Sequence, residues 1–178
     1  ASHNFTRHKL VEYAASRAVS KDILERYCEE VVYHVDSSPD RHFYAIGFKN
    51  NSGGYILRSS ISKRCSSSDI TTLGPDGQMT DIVNSDKVLV FEGFMDFLSW
   101  ITDVKQETPQ YDCCILNSVT NISKALSWIT AHSHVAASWT MIPRERKRSR
   151  RLWKVYRRQQ AQMSAYMTCR SSIRDITI

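Results

Sequence analysis

Glu92 and Asp96 are the residues of this sequence best suited to chemistry. Both lie in Lys87–Trp100, KVLVFEGFMDFLSW, and their spacing is about one helical turn. Two acids this close suit a hard divalent cation such as Mg²⁺, which takes oxygen ligands and keeps several waters. The same pair admits a plainer reading, in which Glu92 caps a helix and Asp96 favours its positive N-terminal end. Spacing alone leaves both open.

The elements around the pair decide where it points. Val88, Leu89, Val90 and Phe91 form an uninterrupted apolar run, the signature of a buried strand. Phe94, Met95, Phe97, Leu98 and Ile101 then recur at helical spacing, which starts a helix just after Gly93. Open α/β sheets bind ligands in the crevice beyond the carboxyl ends of their strands, where Glu92 falls. A second apolar strand is expected at Cys113–Leu116, with Asn117-Ser118 at its tip. A second helix carries Ile122, Ala125, Leu126 and Ile129, and a third strand runs from His134 to Ala137. Strand–helix–strand units at this spacing imply parallel strands with right-handed crossovers. His132 and His134 have no third ligand nearby, which argues against a metal role for them.

The N-terminal part reads differently. Leu10, Val11, Ala14, Ala15 and Ala18 space like one helix. Ser20 is placed to cap a second, with Ile23, Leu24, Tyr27, Cys28 and Val31 on its apolar stripe. A strand at Val31–Val35 follows, then a hairpin of His42–Phe48 and Tyr55–Leu57 around Asn50-Asn51-Ser52-Gly53-Gly54. The glycine pair serves either the turn or the approach of backbone N–H groups to a phosphate. Arg58, Lys63 and Arg64 stand just past the hairpin, as a nucleic-acid contact or a solvated basic face. Gly74-Pro75-Asp76-Gly77 is a strong turn. The expected organisation is an α+β region over 1–85, a sheet domain over 86–142 and a basic tail over 143–178.

A hydrophobic strand followed by Glu-Gly, two residues and Asp opening a helix resembles the first motif of the toprim domain. That domain is shared by bacterial-type DNA primases, topoisomerases and some nucleases. The wording EGFMD is closest to primases. YAIGFKNNSGGYILRS with DITT downstream is similar to toprim-containing primase-like proteins of phages and mobile elements. Together these stretches cover most of Phe43–Asn121. The resemblance implies an α/β fold with a toprim-type parallel sheet, and metal-dependent synthesis of RNA primers. It implies Mg²⁺ held by Glu92 with Asp96 in support. Phosphate or template contacts would come from Arg58, Lys63 and Arg64. The implied partners are a single-stranded DNA template, nucleoside triphosphates and a replicative helicase.

The sequence departs from the family where the chemistry needs acids most. A toprim domain carries Asp-x-Asp at the tip of its third strand, but this chain reads Ser138-Trp139-Thr140-Met141-Ile142-Pro143. The genetic code offers a reason. Trp is encoded only by TGG and Met only by ATG. Read from the third base of each codon, Trp139-Thr140 gives GAC and Met141-Ile142 gives GAT, both Asp. The neighbouring codons allow Leu before, Asn between, and Pro-Ala-Gly after. A frameshift between Ala131 and Trp139 therefore restores the motif and makes the tail an out-of-frame product. The competing reading is a genuine, divergent strand end. For the chain as written, the alternatives to the enzyme are a non-catalytic nucleic-acid-binding module using the hairpin bases and the basic tail, and an inert truncated product.

Charge is distributed unevenly. Of 24 Lys+Arg and 18 Asp+Glu, 11 and 2 lie after Ile142, which leaves 13 and 16 before it. The body is mildly acidic and the tail strongly basic, a pattern of nucleic-acid arms when it is selected for. Five cysteines form no CxxC pair, against a zinc ribbon, and with no secretory signal they favour the reducing cytoplasm. No apolar run reaches membrane-spanning length. The chain opens on Ala1 rather than Met, as a fragment would.

Overall fold

The structure is a computed structural model that describes residues 4–138. It is a mixed α/β arrangement of two four-stranded sheets and four α-helices among the described residues. Helix α1 spans His8–Ser16 and α2 spans Lys21–Tyr27. Ala18 between them takes a left-handed φ of 57°, so the first helix stops short of the expected stripe. Ser20 caps α2 as expected, accepting a hydrogen bond from the Ile23 amide at 3.4 Å. Extended backbone at Cys28 then ends α2, and Val31 belongs to the following strand rather than to the helical stripe.

The first sheet is wholly antiparallel. Its strands β1 (Glu29–Val35), β2 (Ser38–Lys49), β3 (Tyr55–Arg58) and β4 (Lys63–Cys65) lie in sequence order. The expected hairpin is present, with the expected strand at Val31–Val35 extended into β1 on one side and an unexpected β4 on the other. Register alternates the residues between two faces. Ile46, Phe48 and Ile56 point inward to a core shared with α1, α2 and the helix that follows the Glu-Gly turn.

The second sheet has the order β5-β7-β6-β8, from Thr71–Leu73, Asp112–Ile115, Lys87–Phe91 and His134–Ser138 respectively. Strands β7, β6 and β8 run parallel, and β5 lies antiparallel against β7. Thr71–Leu73 thus joins the second sheet although it precedes the boundary expected near residue 86. Residues 4–138 fall in a single compact unit. Helix α3 is Phe94–Asp103 and α4 is Ile122–Thr130, preceded by a 3-10 turn at Val119–Asn121.

This second sheet is covered on both faces, which explains its unbroken apolar strands. Phe91, Cys113 and Ile115 join the core beneath α3, with Leu89 packed against it. Val88, Val90, Cys114 and Leu116 pack with Ala125 and Ile129 of α4 on the other side. Phe97 of α3 is fully buried, and its ring meets Tyr27, Phe48, Phe91 and Trp100. It ties the two sheets together.

A buried pair closes the opposite end of the sheet. His132 Nε2 lies 2.9 Å from Asp112 Oδ2, with both side chains inaccessible to solvent. The same carboxylate oxygen accepts from the Asn84 and Ser85 amides, at 2.8 and 3.1 Å. His132 Nδ1 lies 2.9 Å from the Trp128 carbonyl. The pair binds the entry to β6, the start of β7 and the end of α4. No helix among the described residues is long and apolar enough to cross a membrane.

Candidate functional site

The β6 chain leads through α3 on one face of the sheet to β7. From β7 it continues through α4 on the other face to β8. Adjacent strands whose helices leave to opposite faces open a crevice at their carboxyl ends, the general ligand position in such sheets. Here that crevice lies between the ends of β6 and β7. Phe91 is level with Ile115 of β7 and Ser138 of β8, and Glu92 follows at the end of β6.

The helix cap settles one expectation. Gly93, not Glu92, is the N-cap of α3, with φ −142° and ψ 161° and no side-chain capping bond. Glu92 therefore stands on the strand side of the cap, half-buried. Asp96 lies in the first turn, where a negative charge is favoured by the helix dipole. Its Oδ2 folds back to 3.6 Å from where a Cβ on Gly93 would sit. That distance is an ordinary van der Waals contact, so a Cβ at 93 would touch the carboxylate without displacing it. The two acids thus bracket a single glycine.

Asn117 forms the other lip. It is buried at 4% exposure and adopts a left-handed φ of 59°, a conformation Asn tolerates better than most residues. Its Nδ2 donates to the Asp69 carbonyl at 3.1 Å and the Thr71 hydroxyl at 3.0 Å. Asn121 donates to the Leu116 carbonyl at 3.0 Å and accepts from Ser68 at 3.2 Å. Lys124 reaches the Ser68 carbonyl at 2.6 Å and Asp69 at 3.5 Å. These bonds fasten the polar loop at 66–69 over the tip of β7. Sequence reading marked Asn117 only as a polar strand end; a single Asn after an apolar strand carries no further signal.

The hairpin glycines serve the turn. Gly53 has φ +77° and its amide donates to the Asn50 carbonyl at 2.9 Å, while the Gly54 amide donates to Asn50 Oδ1 at 2.9 Å. Both N–H groups are consumed within the loop, so they form no phosphate cradle. Asn51 stitches the turn to β5 through Thr72, at 2.8 and 3.0 Å.

The three basic residues do not form one cluster. Register pairs Arg58 with Lys63 and Leu57 with Arg64. Arg58 and Lys63 therefore share the face that carries Ile46 and Ile56, and Arg64 points to the opposite one. Arg58 is half-buried, the other two exposed.

Glu92 and Asp96 offer hard oxygen ligands of the kind Mg²⁺ takes, enough for one ion completed by waters and substrate phosphates. No group of three or more His, Cys, Asp or Glu that could hold a metal occurs among the described residues. The frame-shifted acids expected after Ser138, and the basic tail, lie outside the described residues.

Against known proteins, a family model described as "Domain of unknown function (DUF8464)" matches residues 2–67, the stretch that ends after β4. No curated protein and no solved structure matches the chain.

Proposed function

We propose that the chain is a toprim-type, primase-like protein whose acidic site is half built. The observation that carries this reading is the position of Glu92, just past the end of the central parallel strand, beside the carboxyl end of β7. A carboxylate there reaches the crevice where open sheets do their chemistry. Asp96, one helical turn on, adds the supporting charge. In a complete site, Mg²⁺ would orient a nucleoside triphosphate and offset the charge of phosphoryl transfer. This chain's own part is to present Glu92 at the strand tip and hold Asp96 against Gly93.

The departure at the third strand fits the same picture. Ser138 pairs with Phe91, the residue before Glu92. The shifted frame would supply its first aspartate directly afterwards, where an acid from the third strand would face the same crevice. Nucleotide sequence across codons 131–143 tests the frameshift itself.

A primer-synthesis assay on single-stranded template, with and without Mg²⁺, tests the function. The chain rebuilt in the shifted frame is expected to make primers, and Glu92→Gln in that chain to abolish them. Activity that survives Glu92→Gln would end the toprim reading. A second reading, a nucleic-acid-binding module without catalysis, is favoured for the chain as written because only two metal-suited acids stand at the crevice among the described residues. It predicts salt-sensitive binding indifferent to Mg²⁺.

A further inference from the structure

Exposed aliphatic side chains gather at two places among the described residues. Met79, Ile82 and Val83 share the loop that leads into β6, and Ile61 stands in the β3–β4 turn. Ile82 is 66% exposed and Ile61 88%. Neighbouring apolar groups held in water mark a contact surface.

The loop over 79–86 is a rigid knob. The Ile82 amide donates to Thr80 Oγ1 at 3.0 Å, and the Ile82 carbonyl accepts from Asn84 Nδ2 at 2.8 Å. The buried Asp112 carboxylate fixes the Asn84 and Ser85 amides. With its backbone groups satisfied, Ile82 offers only its side chain. The knob is also acidic. Asp81 and Asp86 are exposed beside the aliphatic residues, and no Lys, Arg or His lies within 79–86. Asp86 Oδ2 lies 3.6 Å from His134 Nδ1, whereas Asp81 has no ion pair among the described residues.

The first sheet carries a groove of matching character. It encloses about 650 Å³ between the start of α1, the Tyr33–Val35 end of β1, the first half of β2 and the β3–β4 turn. Tyr33, Val35, Phe43, Tyr44 and Ile61 give it apolar walls. Its rings are already engaged: Tyr33 stacks on Phe43, and the Arg7 guanidinium lies 3.8 Å from the Tyr44 centroid. That arrangement suits an aliphatic guest better than a flat one. Arg7, Lys9 and Arg64 line the groove with His8 and His42, and none of its lining residues is Asp or Glu. Glu30 offsets Arg7 and Glu12 faces His8, but Lys9 and Arg64 have no ion pair among the described residues. The lip that carries Ile61 is stiff. The Ser59 amide donates to the Ser62 carbonyl at 3.0 Å, the two hydroxyls lie 3.0 Å apart, and the Tyr33 hydroxyl reaches Ser62 at 3.2 Å.

We infer that this groove receives the 79–86 loop of a second copy of the chain, with Ile82 seated beside Ile61 and Asp81 met by Lys9 or Arg64. Knob and groove are complementary in apolar surface and in charge, and both are formed before contact, which spares the ordering cost of association. They belong to different sheets of one molecule, so the contact is head-to-tail. Each copy gives its knob to one neighbour and its groove to another, and the assembly closes into a ring or grows. The inference goes beyond the crevice: it needs neither Glu92 nor an intact third strand.

Light scattering of the full chain during size-exclusion chromatography tests it. Mass is expected to rise with protein concentration and to fall with added salt, which screens the charged rim. Ile82→Ser is expected to weaken association at least about tenfold, the loss of a central apolar anchor. Lys9→Glu with Arg64→Glu is expected to remove it. All three residues are exposed, and circular dichroism checks that the variants fold. Mixing the variants is decisive. The first keeps only a working groove and the second only a working knob, so together they should form a heterodimer and nothing larger. Carbodiimide coupling of unmutated chains, isotope-labelled with unlabelled, is expected to join Lys9 of one copy to Asp81 or Asp86 of another. A monomer at every concentration, association undiminished in either variant, a mixture that fails to pair, or coupling confined to residues after Ile142 would overturn the contact. Glu92→Gln should associate as the wild type, so loss of primer synthesis and loss of assembly are separate results.

Discussion

The two sheets of this protein use their residues in opposite ways. The second is roofed on both faces, so Val88 to Phe91 and Cys113 to Leu116 are spent on packing, and polar groups appear at the tips of these strands and on the short edge strand β5. The first packs Ile46, Phe48 and Ile56 into the shared core, while its other face buries only the small patch of Ala45 and Leu57 among Tyr33, Phe43 and Tyr55, with Lys49 and Arg64 exposed at the margin. A sheet covered on both sides restricts chemistry to its tips. Glu92 and Asp96 stand at a strand tip of one sheet, and the stacked rings of Tyr33 and Phe43 lie on a face of the other.

The sharpest way to break the comparison is at the residue that joins the sheets. Phe97 touches rings from α2, β2 and β6. Phe97→Ala is expected to cost about 4 kcal/mol, from lost burial and the cavity left behind. Urea unfolding should show one transition for the wild type. Separate transitions for the two sheets in the variant would mark Phe97 as the coupling element. Loss of less than about 1 kcal/mol would mean the sheets are joined elsewhere.

The second sheet alone is probed by His132→Ala. It strips the buried Asp112 carboxylate of its side-chain partner and should cost about 3 kcal/mol, since a buried acid left without its partner is expensive. The first sheet should keep its hydrogen-exchange protection in this variant, while β7 and the end of α4 lose theirs. Uniform loss would show the two sheets fold as one. A smaller effect is expected from Gly47→Ala on the outward face of the first sheet. A Cβ there would sit 2.3 Å from Val31 Cγ2 and 3.0 Å from the Tyr55 ring. Overpacking of that kind costs about 1–2 kcal/mol. The change should also displace Tyr55, read as an altered tyrosine signal in near-ultraviolet circular dichroism.

Much of the second sheet was legible because its strands announce themselves. Four apolar residues ending in Glu-Gly, then helical spacing, place β6 and α3 to within a residue, and Cys113–Leu116 is displaced by one from the observed strand. The antiparallel β5 was not legible, since Thr71–Leu73 is too short to show a period and pairs with a strand forty residues later. The same limit hid β4 and the full length of β1 and β2. At the site, Glu92 and Asp96 could be read from spacing, but that Gly93 caps the helix depends on backbone angles no sequence displays. The basic trio read as one cluster because adjacency in sequence says nothing of which strand face each occupies. The aromatic face was missed for a related reason. Tyr33 and Phe43 become neighbours only through the register of β1 on β2.

The finest test concerns how each sheet responds to alkali. On the open face, the hydrogen bond from Glu29 raises the Lys49 ammonium, and burial followed by the Glu29 contact raises the Tyr55 hydroxyl. Burial lifts Tyr27, at the edge of the shared core, to about 12, against the opposing Arg26 charge. A folded-state pKa above the unfolded one gives stability that is complete below the unfolded value, near 10 for both types, and fades as pH rises through the folded value. The urea midpoint should therefore hold from pH 7 to 9 and fall between pH 10 and 12. Lys49→Met with Tyr55→Phe should flatten the early part of that fall, and Tyr27→Phe the late part. In the covered sheet, burial raises the Cys113 and Cys114 thiols, the latter to about 12, so neither ionises while the sheet stays closed. Alkylation at pH 9 should then label exposed Cys65 first and leave Cys113 and Cys114 unmodified until unfolding. Early labelling of Cys113 or Cys114 would mean the second sheet opens on its own, and the contrast between an open face and a sealed one would no longer hold.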